Sequence, residues 1–460
     1  MMAIFEHRTR LPFPAATAFA WHDRPRAFER LAPPWRTMRM VATHGTIRDG
    51  DWTRFRLKAG PLWLEWHAML HGFVQDRQFT DVQVKGPFAR WRHTHRFTPD
   101  GPDGFFMEEH IEYEPPGGAV GRLLGARLAE PELRRLFAFR HRRLHEDLRR
   151  HALWAGRPPW RIAISGASGL VGSQLAAFLA TGGHDVFPLV RRAPRTPREI
   201  RWNPEQAEID AAAFEGIDAV VHLAGESVAA GRWTPSQRAR IRTSRIDGTR
   251  TLAQALSRLR RPPRVLVCAS AVGFYGSRGD EILTEESAPG AGFLPETALA
   301  WEAASGPACR AGIRIVHLRI GVVLTPQGGM LGRLLPIFRL GLGGRTGTGR
   351  QWISWVALDD LLAMIQYALF DESMRGPYNA TSPHPVTNAD FARTLARVLR
   401  RPALLPVPSA AIRAAFGEMG RELILEGNRV LPARLQSTGF EHFHADLEGA
   451  LRFVLGRPRT

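Results

Sequence analysis

Two hydrophobic rhythms divide this chain. Before about residue 152, apolar and polar positions alternate one by one in "FTDVQVKGPFARWRHTHRF" (79–97). They do so again in "FFMEEHIEYEPP" (105–116), after a Pro/Gly/Asp turn. A period of two marks half-buried strands. In "EPELRRLFAFRHRRLHEDLRRHALW" (130–154) the period changes, and Leu133, Leu136, Phe137, Leu144 and Leu148 take helical spacing. Antiparallel strands followed by one long amphipathic helix predict a sheet wrapped around that helix, with room for a ligand between them. "AGRPPW" (155–160) then breaks the helix with Gly and tandem Pro.

Beyond it, short apolar runs alternate with helical stretches: "RIAIS" (161–165), "DVFPLV" (185–190), "AVVHLA" (219–224), "RVLVCAS" (264–270) and "IRIVHLRI" (313–320). That is the βαβ rhythm of an α/β fold with a doubly wound parallel sheet. The expected organisation is a first domain over 1–152, a linker over 153–160, a sheet domain over 161–385 and a mostly helical segment over 386–460.

Composition narrows the setting. The 460 residues are 44% hydrophobic and 23% charged, as in a soluble globular protein. No apolar run reaches the roughly 18 residues of a membrane-spanning helix. The start, "MMAIFEHRTRLPFP", lacks an apolar h-region and a small-residue cleavage site, so a cytoplasmic location is expected. Two cysteines, Cys268 and Cys309, suit a reducing compartment and exclude a disulfide framework. The formal net charge is +18, yet lysine occurs only at Lys58 and Lys85, and arginine is scattered through every region. This reads as a preference for arginine over lysine rather than a nucleic-acid surface. The rival, a polyanion-binding face, predicts affinity that falls steeply with salt.

The first parallel strand runs into "SGASGLVGSQLAAFLATGGHDV", where Gly166, Gly169 and Gly172 open a helix. The first glycine permits the tight turn, the second admits a pyrophosphate, and the third lets helix and strand pack closely. The helix N-terminus, with Ser168, Leu170 and Val171 around the glycines, presents N–H groups to phosphate. At the end of the second strand, a site for NAD normally carries an acidic residue. Here Arg191 and Arg192 stand there. Guanidinium groups suit a 2′-phosphate, so NADP(H) is the expected cofactor. The alternative is two more solvated arginines.

"VVHLAGESVAAGRWT" (220–234), "CASAVGFYG" (268–276), "GFLPETALAWEAA" (292–304), "LRIGVVLTPQGGML" (318–331) and "WISWVALDDL" (352–361) together resemble the epimerase-family branch of the extended short-chain dehydrogenases/reductases. "GEMGRELILEGNRVLPARLQSTGFEHFHADLEGAL" (417–451) is similar to the C-terminal domain of unknown function of that branch. The first 152 residues, chiefly through "GPFARWRHTHRF", resemble a helix-grip START-like (SRPBCC, polyketide cyclase) domain. The resemblance implies a Rossmann sheet with an N-terminal α+β helix-grip domain. It also implies that Leu223, Ala224 and Gly225 line the cofactor, and that Arg245 and Glu302 contact it; local ion pairing is the alternative for those two.

Catalytic relatives carry Tyr-x-x-x-Lys, the tyrosine handling the proton while the lysine lowers its pKa. The matching slots hold Leu294 and Ala298, and no lysine follows Lys85. The Ser/Thr slot holds Ala271, beside Ser270. Tyr275 with Ser270 is the candidate substitute relay, against a Tyr275 that only packs the substrate loop. Asp359 and Asp360 read as structural, the first as a helix cap. In the first domain, His93 and His95 share a strand face, but no third ligand is evident, so no metal is expected. Trp63, Trp66, Phe88 and Trp91 suit a plain core or a pocket for an apolar ligand. The function these features imply is NADP(H)-dependent hydride chemistry on a small carbonyl or sugar-like substrate. A noncatalytic NADP(H) sensor is the alternative.

Overall fold

Alternation over the first 115 residues produces seven antiparallel strands. They are β1 (Ala3–Leu11), β2 (Met38–His44), β3 (Trp52–Ala59), β4 (Leu62–Val74), β5 (Gln78–Lys85), β6 (Arg90–Pro99) and β7 (Phe105–Glu114). The computed structural model describes residues 2–206 and 208–457. The sheet order is β1-β7-β6-β5-β4-β3-β2, so β1 and β7 pair across the whole sequence of strands. Two short helices, α1 (Ala15–His22) and α2 (Ala27–Arg30), fill the β1–β2 connection, and α3 (Gly118–Ala152) follows β7.

Helix α3 begins twelve residues before the stretch that hydrophobic spacing marks, and Pro131 lies inside it. Glycines at 118, 121 and 125 are poor helix formers, which hides the first three turns from a pattern reading. The inner sheet face carries two apolar clusters, one around Phe19, Phe79, Phe97 and Phe105 and one around Trp66, Trp91, Ile111 and Phe137. Trp66 and Trp91 are buried there, while Trp63 is exposed beneath the Arg39 guanidinium.

The chain divides into two units: residues up to Arg157, with Ala177–Gly183 and the chain from Phe453 onward, and a second unit of Pro158–Ala176 and His184–Arg452. The second unit is built from β8 (Arg161–Ser165), the first half of α4 (Leu170–Thr181), β9 (Asp185–Val190), β10 (Ile200–Asn203), β11 (Glu208–Ile209), β12 (Ala219–His222), α5 (Pro235–Leu256), β13 (Val265–Ala271), β14 (Ile282–Leu283), α6 (Phe293–Ala303) and β15 (Arg314–Ile320). Its main sheet runs β11-β10-β9-β8-β12-β13-β15 and ends on the strand Gly376–Ala380. Every pairing is parallel except the β10–β11 edge. Strand β12 is buried along its whole length, as expected of a parallel sheet covered on both faces. Strand order reverses between β8 and β12, and the crevice at such a reversal is where open α/β sheets bind ligands.

The segment after residue 386 is mostly helical and belongs to the second unit as far as Arg452. Its Arg429–Val430 strand pairs in parallel with β14, and Asn428 Nδ2 donates to the Val272 carbonyl at 2.7 Å. Asp359 is not the cap expected of it. The helix starts at Leu358 with Ala357 at its cap, so Asp359 lies in the first turn. Asp360, buried, instead accepts the backbone N–H groups of Phe443 and His444 at 2.7 and 2.9 Å.

Candidate active site

The glycine turn after β8 has the geometry its sequence implies. Gly166 sits at φ +69°, in the left-handed region that glycine tolerates. A side chain at Gly172 would put its Cβ 2.2 Å from the Gly166 carbonyl oxygen. Gly166 in turn backs onto Leu223 and Ala224, whose backbone atoms lie 3.1–3.3 Å from where its Cβ would be. Thus Gly166, Gly172, Leu223 and Ala224 form one close-packed cradle at the β8/β12 crevice. Ser168, Gly169 and Leu170 are exposed along its rim, Val171 is half-buried, and Gly225 is exposed at the far side. The space in front of Gly225 is bounded by Arg245, 3.5 Å from a Cβ placed there.

A buried hydroxyl fastens the cradle. Ser165 Oγ, at the end of β8, accepts the N–H groups of Leu223 and Ala224 at 3.0 and 3.2 Å. With its lone pairs so engaged, it donates its own proton to His222 Nδ1, 2.7 Å away. The imidazole must therefore be neutral with its proton on Nε2, an atom that has no hydrogen-bond partner. Full burial lowers the His222 pKa to about 4, which keeps the ring in that state at neutral pH. Sequence reading passed over Ser165 and His222. The serine's position as the last residue of a strand before a glycine turn was the available signal.

Arg191 and Arg192 leave β9 together but differ in freedom. Arg192 is clamped by Glu199, with contacts of 2.8 and 2.5 Å, and also donates to the Ala193 carbonyl. That pairing and the Arg195 backbone N–H pull the half-buried Glu199 carboxyl down to about 2. Arg191 is solvent-exposed and has one long contact, 3.3 Å to Glu205. Of the two guanidinium groups, that of Arg191 is the less engaged.

At the carboxyl ends of β13 and β15 a chain of buried polar groups runs between helix and sheet. Ser270 Oγ donates to Glu302 Oε1 at 2.6 Å. Arg319 grips the same carboxylate with Nε and Nη2, both at 2.9 Å, and donates from Nη1 to Tyr275 Oη at 3.0 Å. Tyr275 donates onward to Asn379 Oδ1 at 2.7 Å. The Asn379 backbone N–H reaches Glu285 at 2.9 Å, and its Nδ2 reaches the Leu431 carbonyl at 2.9 Å. The Arg319 guanidinium also lies over the Phe274 ring, 3.5 Å from its centroid.

Burial opposes ionisation of Glu302, but the bidentate guanidinium and the Ser270 hydroxyl hold its carboxyl below the usual range. Burial raises the Tyr275 phenol against the pull of Arg319. The structure thus joins Ser270, Tyr275 and Glu302, and adds Arg319 and Asn379, which sequence reading missed. "LRIG" gave one signal, an arginine pointing inward from an apolar strand.

Arg245 is not a surface charge either. It donates to the carbonyls of Glu226 and Ile241 at 2.9 and 3.1 Å, and its guanidinium lies 5.0 Å from the Trp301 ring centre. Burial lowers its pKa to about 10. Leu294 and Ala298, four apart and so on one face of α6, occupy the turn above Glu302. Leu294 Cβ would lie 3.5 Å from a side chain at Gly273.

Residues 162–380 match the model of the NAD dependent epimerase/dehydratase family, and residues 407–454 match a domain of unknown function, DUF1731. An epimerase family protein of Mycobacterium bovis, Mb2239, is 43% identical over 297 residues, which span 65% of this chain and 98% of that protein. The human epimerase family protein SDR39U1 is 35% identical over 302 residues, 64% of this chain and 99% of that protein. Its crystal structure, solved with NADPH, superposes with a TM-score of 0.59 at 32% identity and covers 64% of this chain and 99% of the human one. A crystal structure described as the nucleoside-diphosphate sugar epimerase from Corynebacterium glutamicum matches with a TM-score of 0.82 and 34% identity. It covers 98% of this chain and 90% of its own, so both units have a counterpart there. The glycine cradle, the strand order and these matches agree, and the chain belongs to the NAD-dependent epimerase/dehydratase family, in its SDR39U1-like group with the C-terminal DUF1731 segment.

Proposed function

We propose that this protein is an NADP(H)-dependent oxidoreductase or epimerase of the short-chain dehydrogenase/reductase type that works without a Tyr-x-x-x-Lys pair. The observation that carries the reading is the glycine cradle at the β8/β12 reversal, backed by the buried Ser270–Glu302–Arg319–Tyr275–Asn379 chain at the carboxyl ends of β13 and β15. Burying an ion pair costs several kcal/mol per ion unless geometry repays it, and here every charged atom of the pair has a placed partner.

The cradle at Gly166, Gly169 and Gly172 fits a pyrophosphate, since Gly172 has no room for a side chain. Arg191 fits a 2′-phosphate, and the human relative crystallised with NADPH supports that choice. Bound there, NADP(H) would supply hydride transfer to or from a small carbonyl or sugar-like substrate. Ser165 and His222 hold the Leu223–Gly225 wall in place. Glu302 and Arg319 hold Ser270 and Tyr275 at fixed positions beneath the substrate loop. Tyr275 is fully buried and its hydroxyl is already shared between Arg319 and Asn379, so it acts as a positioning residue for the loop. In the first unit, the order strand, two short helices, six strands and long helix supports a helix-grip, START-like domain. The setting proposed for the whole chain is cytoplasmic.

The test is a fluorescence titration of NADPH against NADH, followed by turnover assays on carbonyl compounds and nucleotide sugars. The reading expects preference for NADPH, reduced about 10–100-fold in Arg191→Ser, because a charge-assisted hydrogen bond contributes about 1.5–3 kcal/mol. Equal affinity for both nucleotides in the wild type overturns the cofactor assignment. Tight NADPH binding with no turnover on any substrate supports the second reading, a noncatalytic NADP(H) sensor. The observation favouring that reading is the saturated, buried Tyr275 beneath Leu294 and Ala298.

A further inference from the structure

The interior of the first unit is not the plain apolar pocket its aromatic content suggests. Between the two apolar clusters a polar band crosses the inner sheet face. Asp81 on β5 stands directly opposite His93 on β6, and His95 stands opposite Glu109 on β7. His93, His95 and Glu109 are buried. Asp81 Oδ2 lies 2.9 Å from His93 Nδ1 and 3.5 Å from His95 Nε2. Glu109 Oε2 lies 2.7 Å from both distal nitrogens, His93 Nε2 and His95 Nδ1. Each imidazole is thus wedged between two carboxylates, and the two ring centres are 3.8 Å apart.

We propose that Asp81, His93 and His95 bind one divalent first-row transition-metal ion of the zinc or ferrous class, with Glu109 orienting the two imidazoles from behind. Protons alone satisfy this arrangement poorly. Filling all four nitrogen–carboxylate contacts requires two imidazolium ions in van der Waals contact inside the protein, where like charges disfavour each other. His95 shows the consequence: its Nδ1, buried and 2.7 Å from Glu109, is outside hydrogen-bonding geometry and has no hydrogen-bond partner.

An ion on the Asp81 side removes the conflict. Both imidazoles become neutral and offer His93 Nδ1 and His95 Nε2 as lone-pair donors; His93 keeps its remaining N–H on Glu109 at 2.7 Å, and the His95 ring must turn to aim Nδ1–H at the same carboxylate. Metal-bound histidines characteristically pass the second N–H to a carboxylate in this way. Glu109 is itself fixed by His141 Nε2 at 2.9 Å, whose Nδ1 meets Thr9 Oγ1 at 2.8 Å. Ligand bonds of about 2.0–2.1 Å at tetrahedral angles place ligand atoms about 3.3 Å apart. The two Asp81–histidine separations straddle that value. Among the described residues, this is where histidine and carboxylate ligand atoms converge, all within 4.8 Å of one another. Two nitrogens and one carboxylate suit zinc or ferrous iron, and three protein ligands leave an exchangeable position.

The full-length chain, stripped with a chelator and dialysed, is titrated with Zn²⁺ and with Co²⁺. The proposal expects one equivalent of each per chain, and a visible Co²⁺ absorption of a low-coordinate ion. Asp81→Asn and His95→Gln should each abolish stoichiometric binding. Glu109→Gln should keep the stoichiometry and weaken affinity about 10–100-fold. Near-ultraviolet circular dichroism of the packed Trp66 and Trp91 reports whether each variant keeps its fold. Wild-type protein that binds no more metal than buffer overturns the proposal, as do folded Asp81→Asn and His95→Gln variants that bind normally. NADPH affinity, read in the same samples, belongs to the second unit and stands or falls separately.

Discussion

Replacing Glu302 with alanine strands the Arg319 guanidinium inside the protein. In the wild type that carboxylate takes two bonds of 2.9 Å from Arg319 and one of 2.6 Å from Ser270. The arginine and glutamate side chains are 5% and 12% exposed, so water cannot take over. Breaking a buried pair from one side costs about 3–5 kcal/mol. Arg319 keeps Tyr275 Oη at 3.0 Å and the Phe274 ring at 3.5 Å, which places the expected loss at about 3 kcal/mol. For a unit of this size each kcal/mol moves the melting midpoint about 2–4 °C, so Glu302→Ala should melt about 6–12 °C lower.

The double variant Glu302→Ala/Arg319→Met removes both charges and should recover most of that loss, since buried pairs are often replaceable by apolar groups. Scanning fluorimetry, with the nucleotide-binding transition identified by its shift on adding NADPH, reads both. A Glu302→Ala midpoint within about 2 °C of wild type refutes the reasoning, as does a double variant that melts no higher than the single one. The pH dependence has a fixed sign. Glu302 titrates below the ordinary carboxylate value, so its contribution is present above that value and fades as pH falls through the folded pKa. The gap between wild type and Glu302→Ala should therefore close only in acid.

Three further outcomes follow from the same geometry. Gly172→Ala drives a methyl into the Gly166 carbonyl. It should abolish NADPH binding in a fluorescence titration while circular dichroism shows both units folded; retained affinity would disprove the cradle. His222, held neutral with a pKa of about 4 against 6.5, stabilises the fold fully above pH 6.5 and progressively less down to pH 4. The span is about 2.5 units, or about 3.4 kcal/mol; urea midpoints across that range should slope less in His222→Gln than in wild type, and equal slopes would refute the assignment. Cys268 is buried and its thiol is pushed up to about 12, whereas Cys309 is exposed. A disulfide reagent at pH 8 should titrate one thiol in the native protein and two in denaturant.

The parallel sheet was legible because its strands are buried on both faces and read as unbroken apolar runs between turn signals. The glycine cradle was legible because its chemistry is local: three residues within seven positions. What escaped was assembled from distant strands. Arg319 looks like one more arginine in an arginine-rich chain until β15 sets it beside Glu302, seventeen residues earlier. Asp81 and Glu109 look like ordinary polar positions in alternating strands, because only the register of β5, β6 and β7 makes them neighbours of His93 and His95. The early turns of α3 escaped for a different reason, since the glycines at 118, 121 and 125 interrupt the apolar periodicity.

The short parallel pairing of β14 with Arg429–Val430 has a consequence for how such proteins are inherited. Around it, Asn428 holds the Val272 carbonyl, Leu431 donates its N–H to the Leu283 carbonyl, and Asn379 reaches the Leu431 carbonyl. The tail thereby forms one wall of the loop that carries Tyr275. A gene rearrangement that moved the nucleotide fold without its last seventy residues would deliver a loop with no backing and a tyrosine open to water. The two family segments, matched separately along the sequence, are joined at this strand pair, and the second supplies the packing of a loop carried by the first.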